Sequence, residues 1–252
     1  MAITCINPKQ ASAGSASVTN YPAAGLAMTS VTAGSYIYVA MAQATNNTAG
    51  INVPSDTQVN TYTQFGTTLN VGTGGQIAHF YAVSAGGANT VTGHFATAVG
   101  YPALFIAEIA GTTGPDLSGT YHHENSQSGG VGTGAGAVTS GNCVPSTQPG
   151  LIIGASFDSG INNVETPYTG GGYTDLFGAS AFWQFTSGAN KGGAGYLVYA
   201  STSAIAALFT AGASNTAPGT VGALFVQTAG GALTLMPFSQ TQFFVTDTIV
   251  QP

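Results

Sequence analysis

The sequence predicts an all-β protein, a sandwich or barrel of antiparallel strands. Apolar and aromatic residues recur in strand-length runs spaced by roughly 10–15 residues, the spacing of such folds. Between the runs stand turn-forming clusters such as Ala85-Gly86-Gly87 and Asn46-Asn47-Thr48. No segment carries the 3.6-residue apolar period of an amphipathic helix. The Ala-rich run 203–211 has helix-forming residues, but it is short and bounded by Ser, Thr and Gly, so it is expected as strand.

Residues 1–12, with Pro8, Lys9 and Gln10 and little apolar content, read as an extended N-terminal arm. Strands follow at 15–21, 25–31 and 35–42 (SYIYVAMA), separated by Pro22-Ala23-Ala24 and Thr32-Ala33-Gly34. Residues 43–56 read as a loop. At 60–69, Thr alternates with Tyr and Phe in a two-faced strand. The stretch 76–111 holds three strands, at 76–84, 89–96 and 101–109. The second places Thr90, Thr92 and His94 on one face and Val91, Gly93 and Phe95 on the other. The third (YPALFIAEI) is an almost continuous apolar run, the pattern of a strand covered on both faces. Three such strands expose faces that a second sheet must bury.

Beyond Gly111, residues 112–136 are rich in Gly, Ser and Thr and read as an excursion loop with one short strand. Strands resume at 137–142 and 150–157 (GLIIGASF), and 158–175 is a polar loop. The set closes at 179–186 (ASAFWQFT), 195–199, 204–211 and 221–227. No stretch is long enough to be a linker, so 13–229 is expected as one domain. Residues 230–252 form an apolar tail. Its Leu233, Leu235, Phe238, Phe243, Phe244 and Ile249 need cover from water and are candidate assembly contacts. The tail can close the chain's own sheet or add a strand to a neighbour's edge.

Composition narrows the function. Charged residues make up 4% of the chain, against about 25% in an ordinary soluble domain. Lys9 and Lys191 are the only cations, which argues against nucleic acid or an anionic membrane surface as partner. A net charge of −6 opposes self-association weakly over so large a surface. No window of about 18 apolar residues suggests a membrane span. The opening Met1-Ala2-Ile3-Thr4-Cys5 has no basic stretch and no apolar core of a signal peptide, so a chain made without a secretory leader is expected. Virion components released by lysis fit that pattern. Cys5 and Cys143 would close a long loop if bonded, but nothing in the sequence brings them together, and free thiols are favoured.

Sites of chemistry are sparse. Glu108 and Asp158 would be the pair for glycoside hydrolysis, but a strand glutamate more often lies on the solvent face or is satisfied by backbone and hydroxyl donors. His122-His123-Glu124 resembles metal ligands. In a strand, His122 and Glu124 share a face that His123 does not, which leaves two ligands where a stable site uses three or four. No metal or cofactor is therefore expected, and His79 and His94 read as polar members of strand faces. Gly154-Ala155-Ser156-Phe157-Asp158 half matches a nucleophile elbow, and the Gly-rich pieces lack the features of phosphate loops. Tyr168, Tyr173, Asp175 and Trp183 are candidate carbohydrate-binding residues, an aromatic platform beside hydrogen-bonding groups. The alternative for Trp183, between Phe182 and Phe185, is a core position.

The segment Asp56-Thr57-Gln58-Val59-Asn60-Thr61-Tyr62-Thr63 resembles the D-x-x-G-N-x-Y/F-T strand opening of a jelly-roll-like β-sandwich domain widespread in bacterial surface proteins and phage structural proteins. The G-G-x-N-T-V-T hairpin at 86–92 and the E-x-x-G strand end at Glu108–Gly111 extend the resemblance, which spans roughly residues 13–228. Val59 stands where the family has Gly, and Ile109 and Ala110 where an aromatic and Ser are common. The resemblance implies a single jelly-roll-like antiparallel β-sandwich. The expected function is a non-enzymatic structural protein, a phage capsid decoration or other virion component, that contacts copies of itself and a capsid or other virion protein. A lectin-like carbohydrate-binding module, with a glycan as partner, is the alternative.

Overall fold

The computed structural model describes residues 1–13, 17–45, 48, 50–72, 74–118, 120–127, 134–158, 165–176, 191–211 and 218–228. The first half of the chain supplies β1 (Thr4–Ser12), β2 (Val18–Val31), β3 (Tyr36–Gln43), β4 (Ile51–Asp56), β5 (Thr63–Val71), β6 (Gly75–Val83), β7 (Gly87–Val99) and β8 (Ala103–Ala110). The second half supplies β9 (Thr112–Pro115), β10 (His122–Ser126), β11 (Gly134–Thr139), β12 (Gly150–Asp158), β13 (Glu165–Pro167), β14 (Thr174–Asp175), β15 (Lys191–Tyr199), β16 (Leu208–Ala211) and β17 (Pro218–Gln227). Among the described residues there is no α-helix, only a 3-10 turn at Thr169–Gly171.

The expected antiparallel sandwich is present, and it is deeper than two layers. Among the described residues four sheets occur, ordered β2-β7-β4, β1-β8-β3-β6-β5, β10-β17-β12-β15-β14 with β9 also on β17, and β11-β16-β13. Three apolar clusters fill the spaces between them. Ile37, Val39 and Met41 of β3 pack with Val91 and Phe95 of β7, joining the first sheet to the second. Tyr38, Ala40 and Phe105 pack with Leu151, Ile153, Phe157 and Phe225, joining the second to the third. Val138 and Phe209 pack with Ile152 and Leu224, joining the third to the fourth. The sheets are therefore stacked in that order, β1–β8 forming one pair of layers and β9–β17 the other.

This stacking explains the apolar runs. Alternate residues of β3 enter different cores, so both its faces are buried and its sequence shows no polar alternation. The same holds for β8 and β12, where 101–109 and 150–157 are apolar almost throughout. Phe65 of β5 marks the middle of the stack. Its ring lies 4.6 Å from Tyr81 and 4.8 Å from His79 on its own layer, and 6.0 Å from Phe225 and 6.1 Å from Tyr121 across the gap.

Several elements differ from expectation. Residues expected as an arm form β1, which pairs with β8 and buries Ile3 and Cys5 beside it. The register shifts between Ile6 and Lys9, where Asn7 takes a positive φ, and this bulge hides the strand pattern. Residues 51–56, expected as loop, form β4 on β7. The strands expected at 15–21 and 25–31 are one strand, β2, whose register shifts between Tyr21 and Leu26. The stretch 112–136 contains β9 and β10 rather than one short strand, and 158–175 contains β13 and β14. The run 203–211, expected as strand, is strand only in β16, and Ile205 before it makes an isolated bridge with Cys143. The strand expected at 179–186, with Trp183, and the tail with Leu233, Leu235, Phe238, Phe243, Phe244 and Ile249 lie outside the described residues. Cys5 and Cys143 are free and buried, and they belong to different interlayer cores.

Candidate functional site

Four titratable groups, Tyr38, His79, His122 and Glu124, converge between the second and third layers. Alternation along β6 sends Ala78 and Phe80 to the first interlayer core and Ile77 to the central one. His79 shares the Ile77 face and is fully buried. Opposite it runs β10, the edge strand beside β17. As the sequence indicated, His122 and Glu124 share one face of β10, and His79 and His122 both reach one Glu124 carboxylate oxygen. His123 turns the other way, toward Gly141.

The geometry is tight. His79 Nε2 lies 2.9 Å from Glu124 Oε1, and His122 Nδ1 lies 2.9 Å from that same oxygen. Tyr38 Oη lies 3.2 Å from His79 Nδ1. Tyr38 is the diagonal neighbour of His79 on the paired strand, within the reach that a long side chain has on one sheet face. One ligand atom from each of His79, His122 and Glu124 falls within 4.8 Å of the others. Glu124 fits because β5 gives way. Gly66 takes φ +51° at the register shift of that strand, and a Cβ there would overlap the Glu124 carboxylate.

The charges follow from burial. Burial lowers the pKa of His79, more strongly than the hydrogen bond to Glu124 raises it, so the ring is neutral. Burial also works against the Glu124 carboxylate, but the hydrogen bonds from His79 and His122 outweigh it and hold the pKa below the ordinary value. Burial, then the Glu124 charge, keep the Tyr38 hydroxyl protonated. With His79 neutral, Tyr38 donates to Nδ1 and Nε2–H donates to Glu124. The result is a carboxylate held inside the protein by hydrogen bonds, with no lysine or arginine among its partners.

Three other carboxylates, Asp56, Glu108 and Asp116, brace loops and strands. Asp56 accepts from Gln58 N and Asn60 N through Oδ1, and from Asn60 Nδ2, Tyr62 Oη and Asn89 Nδ2 through Oδ2. The D-x-x-x-N-x-Y spacing is thus a turn closed on its own carboxylate and tied to β7. Glu108 is fully buried rather than on a solvent face, and it accepts from the Asn7 amide Nδ2 and the Thr32 backbone N, each at 2.8 Å. Asp116 accepts from Ser146 N and Ser146 Oγ. His94 bridges Asn20 and Ser55 on a strand face.

Of the candidate sugar residues, Tyr168, Tyr173 and Asp175 are described, and Trp183 lies outside the described residues. Tyr173 is buried in the outermost core, and its hydroxyl donates to the Ala206 carbonyl. Tyr168 lies half-buried, its ring over Gly170 and Gly171. Asp175 sits on β14 opposite Gly195. Beside Tyr173 opens a cleft of about 400 Å³, lined also by Thr139, Asn142, Ile205 and Leu208. Compared with family models, curated proteins and solved structures, the chain matches none.

Proposed function

We propose that this chain is a non-enzymatic structural protein that assembles on a virion or cell surface, in its specific form a phage capsid decoration protein with a jelly-roll-like core. The supporting observation is the use of its few carboxylates. Asp56, Glu108 and Asp116 each spend their oxygens on backbone and side-chain donors of the same chain, tying turns and strands together. In a chain with 4% charged residues, that use leaves a surface of hydroxyls, amides and backbone suited to packing against copies of itself. Intersubunit contact is assigned to strand edges and to the apolar tail carrying Leu233, Leu235, Phe238, Phe243, Phe244 and Ile249.

Truncation after Gly230 tests the proposal. The truncated chain is expected to keep its far-ultraviolet dichroism and lose assembly in sedimentation. Normal assembly without the tail would sink this role for it. A second reading, a carbohydrate-binding module, draws on the cleft beside Tyr173. A glycan array probed with the full chain separates the two, since silence removes the second.

A further inference from the structure

We infer that His79, His122 and Glu124 form a binding site for one divalent transition-metal ion of the zinc class, which staples the two halves of the chain together. The donor set comes first. Two imidazole nitrogens and one carboxylate oxygen suit zinc, whereas magnesium and calcium take oxygen ligands. The sequence offers only His122 and Glu124 with ligand spacing. The fold supplies the third donor from β6, in the other half of the chain.

The separations suit an ion with modest movement. Zinc holds its nitrogen and oxygen ligands at about 2.0–2.2 Å, which puts tetrahedral ligands roughly 3.3 Å apart. Glu124 Oε1 already stands 2.9 Å from each imidazole nitrogen, so the triad opens by a few tenths of an ångström along those edges. The third edge, between the two rings, closes by rotation of His122, whose side chain is 25% exposed and has room to turn. That exposure also gives an ion its route in from solvent.

Two independent features show that the place is built around the carboxylate and the ring. Gly66 adopts φ +51° and leaves the space that Glu124 fills. Tyr38 stands on the far nitrogen of His79, where a ligating histidine keeps its outer partner. When Nε2 gives its lone pair to an ion, the proton sits on Nδ1 and the Tyr38 oxygen accepts it.

Because β6 and β10 belong to opposite halves, binding couples to the packing of the second layer on the third. The test uses the full chain and cobalt(II), whose visible absorption reports nitrogen and oxygen ligation, followed by displacement with zinc. One equivalent per chain is expected, and His122→Ala should weaken it by at least about 100-fold while His94→Ala leaves it unchanged. Zinc in roughly 100-fold excess over its dissociation constant should raise the wild-type Tm by about 5–10 °C and leave His122→Ala unmoved. The Tm shift decides the matter even if His122→Ala folds poorly. The proposal is overturned by no saturable cobalt binding, by equal affinity in wild type and His122→Ala, by a comparable loss in His94→Ala, or by a wild-type Tm indifferent to zinc.

Discussion

Replacing Asp56 by Ala should remove the largest single hydrogen-bond hub described in the first half of the chain. Five donors converge on the carboxylate. Two belong to side chains that water cannot easily reach, Tyr62 at 6% and Asn89 at 2% exposure. A buried donor that loses a charged acceptor costs about 1.5–3 kcal/mol. The backbone donors of Gln58 and Asn60 lie at an exposed turn and can turn to water, for about 0.5 kcal/mol each. The sum, reduced for shared relaxation, is about 3–5 kcal/mol at neutral pH. Asp56→Asn keeps one acceptor but places an amide against donors, and about 2–3 kcal/mol is expected.

Urea denaturation followed by dichroism measures both variants, and pH supplies a second axis. Burial works against the ionised Asp56, but the bonds from Asn89, Asn60 and Tyr62 outweigh it and lower the pKa from its ordinary 3.8. The stabilisation is therefore complete above that ordinary value and is lost as pH falls from it through the lower native value. The gap between wild type and Asp56→Ala should be flat from about pH 5 to 8 and narrow below about pH 4. A cost under about 1 kcal/mol at neutral pH, or a gap that widens in acid, would refute the hub.

Two further outcomes test the stacking. Phe65→Ala should cost about 3–5 kcal/mol, because the ring touches aromatic partners on both sides of the central gap, and Phe65→Leu markedly less. Equal urea midpoints for the two variants would contradict that central position. Cys5 and Cys143 should resist alkylation in the native protein and react fully in denaturant. Burial, then the Glu108 charge, raise the first thiol, and burial, then the Glu124 charge, push the second up to about 12. Labelling within seconds under native conditions would show one of them exposed.

Much of the strand content was legible because the inner sheets are buried on both faces. Runs such as YPALFIAEI and GLIIGASF have no solvent side, and an unbroken apolar stretch of that length between turn residues reads as strand. What escaped the sequence was what depends on distant pairing. Strand β1 looks like an arm because Pro8 and Lys9 interrupt it, and its edge position asks little of its side chains. Four-layer depth was invisible, since a strand covered on both faces does not say how many sheets cover it. The same holds for the candidate site. His122 and Glu124 announce themselves by alternation, but His79 lies 45 residues before Glu124, and its sole signal was a histidine inside an otherwise apolar strand. Tyr173 was legible as an aromatic near a glycine-rich turn. That it faces inward depends on the outermost sheet, whose strands pair across more than 30 residues.

The role in assembly is tested most directly by the mass of the full-length chain in solution. Sedimentation equilibrium across a wide concentration range should give a particle that is a multiple of 25.0 kDa. A species of 25.0 kDa at every concentration would contradict self-assembly and, with it, the structural function proposed for this protein.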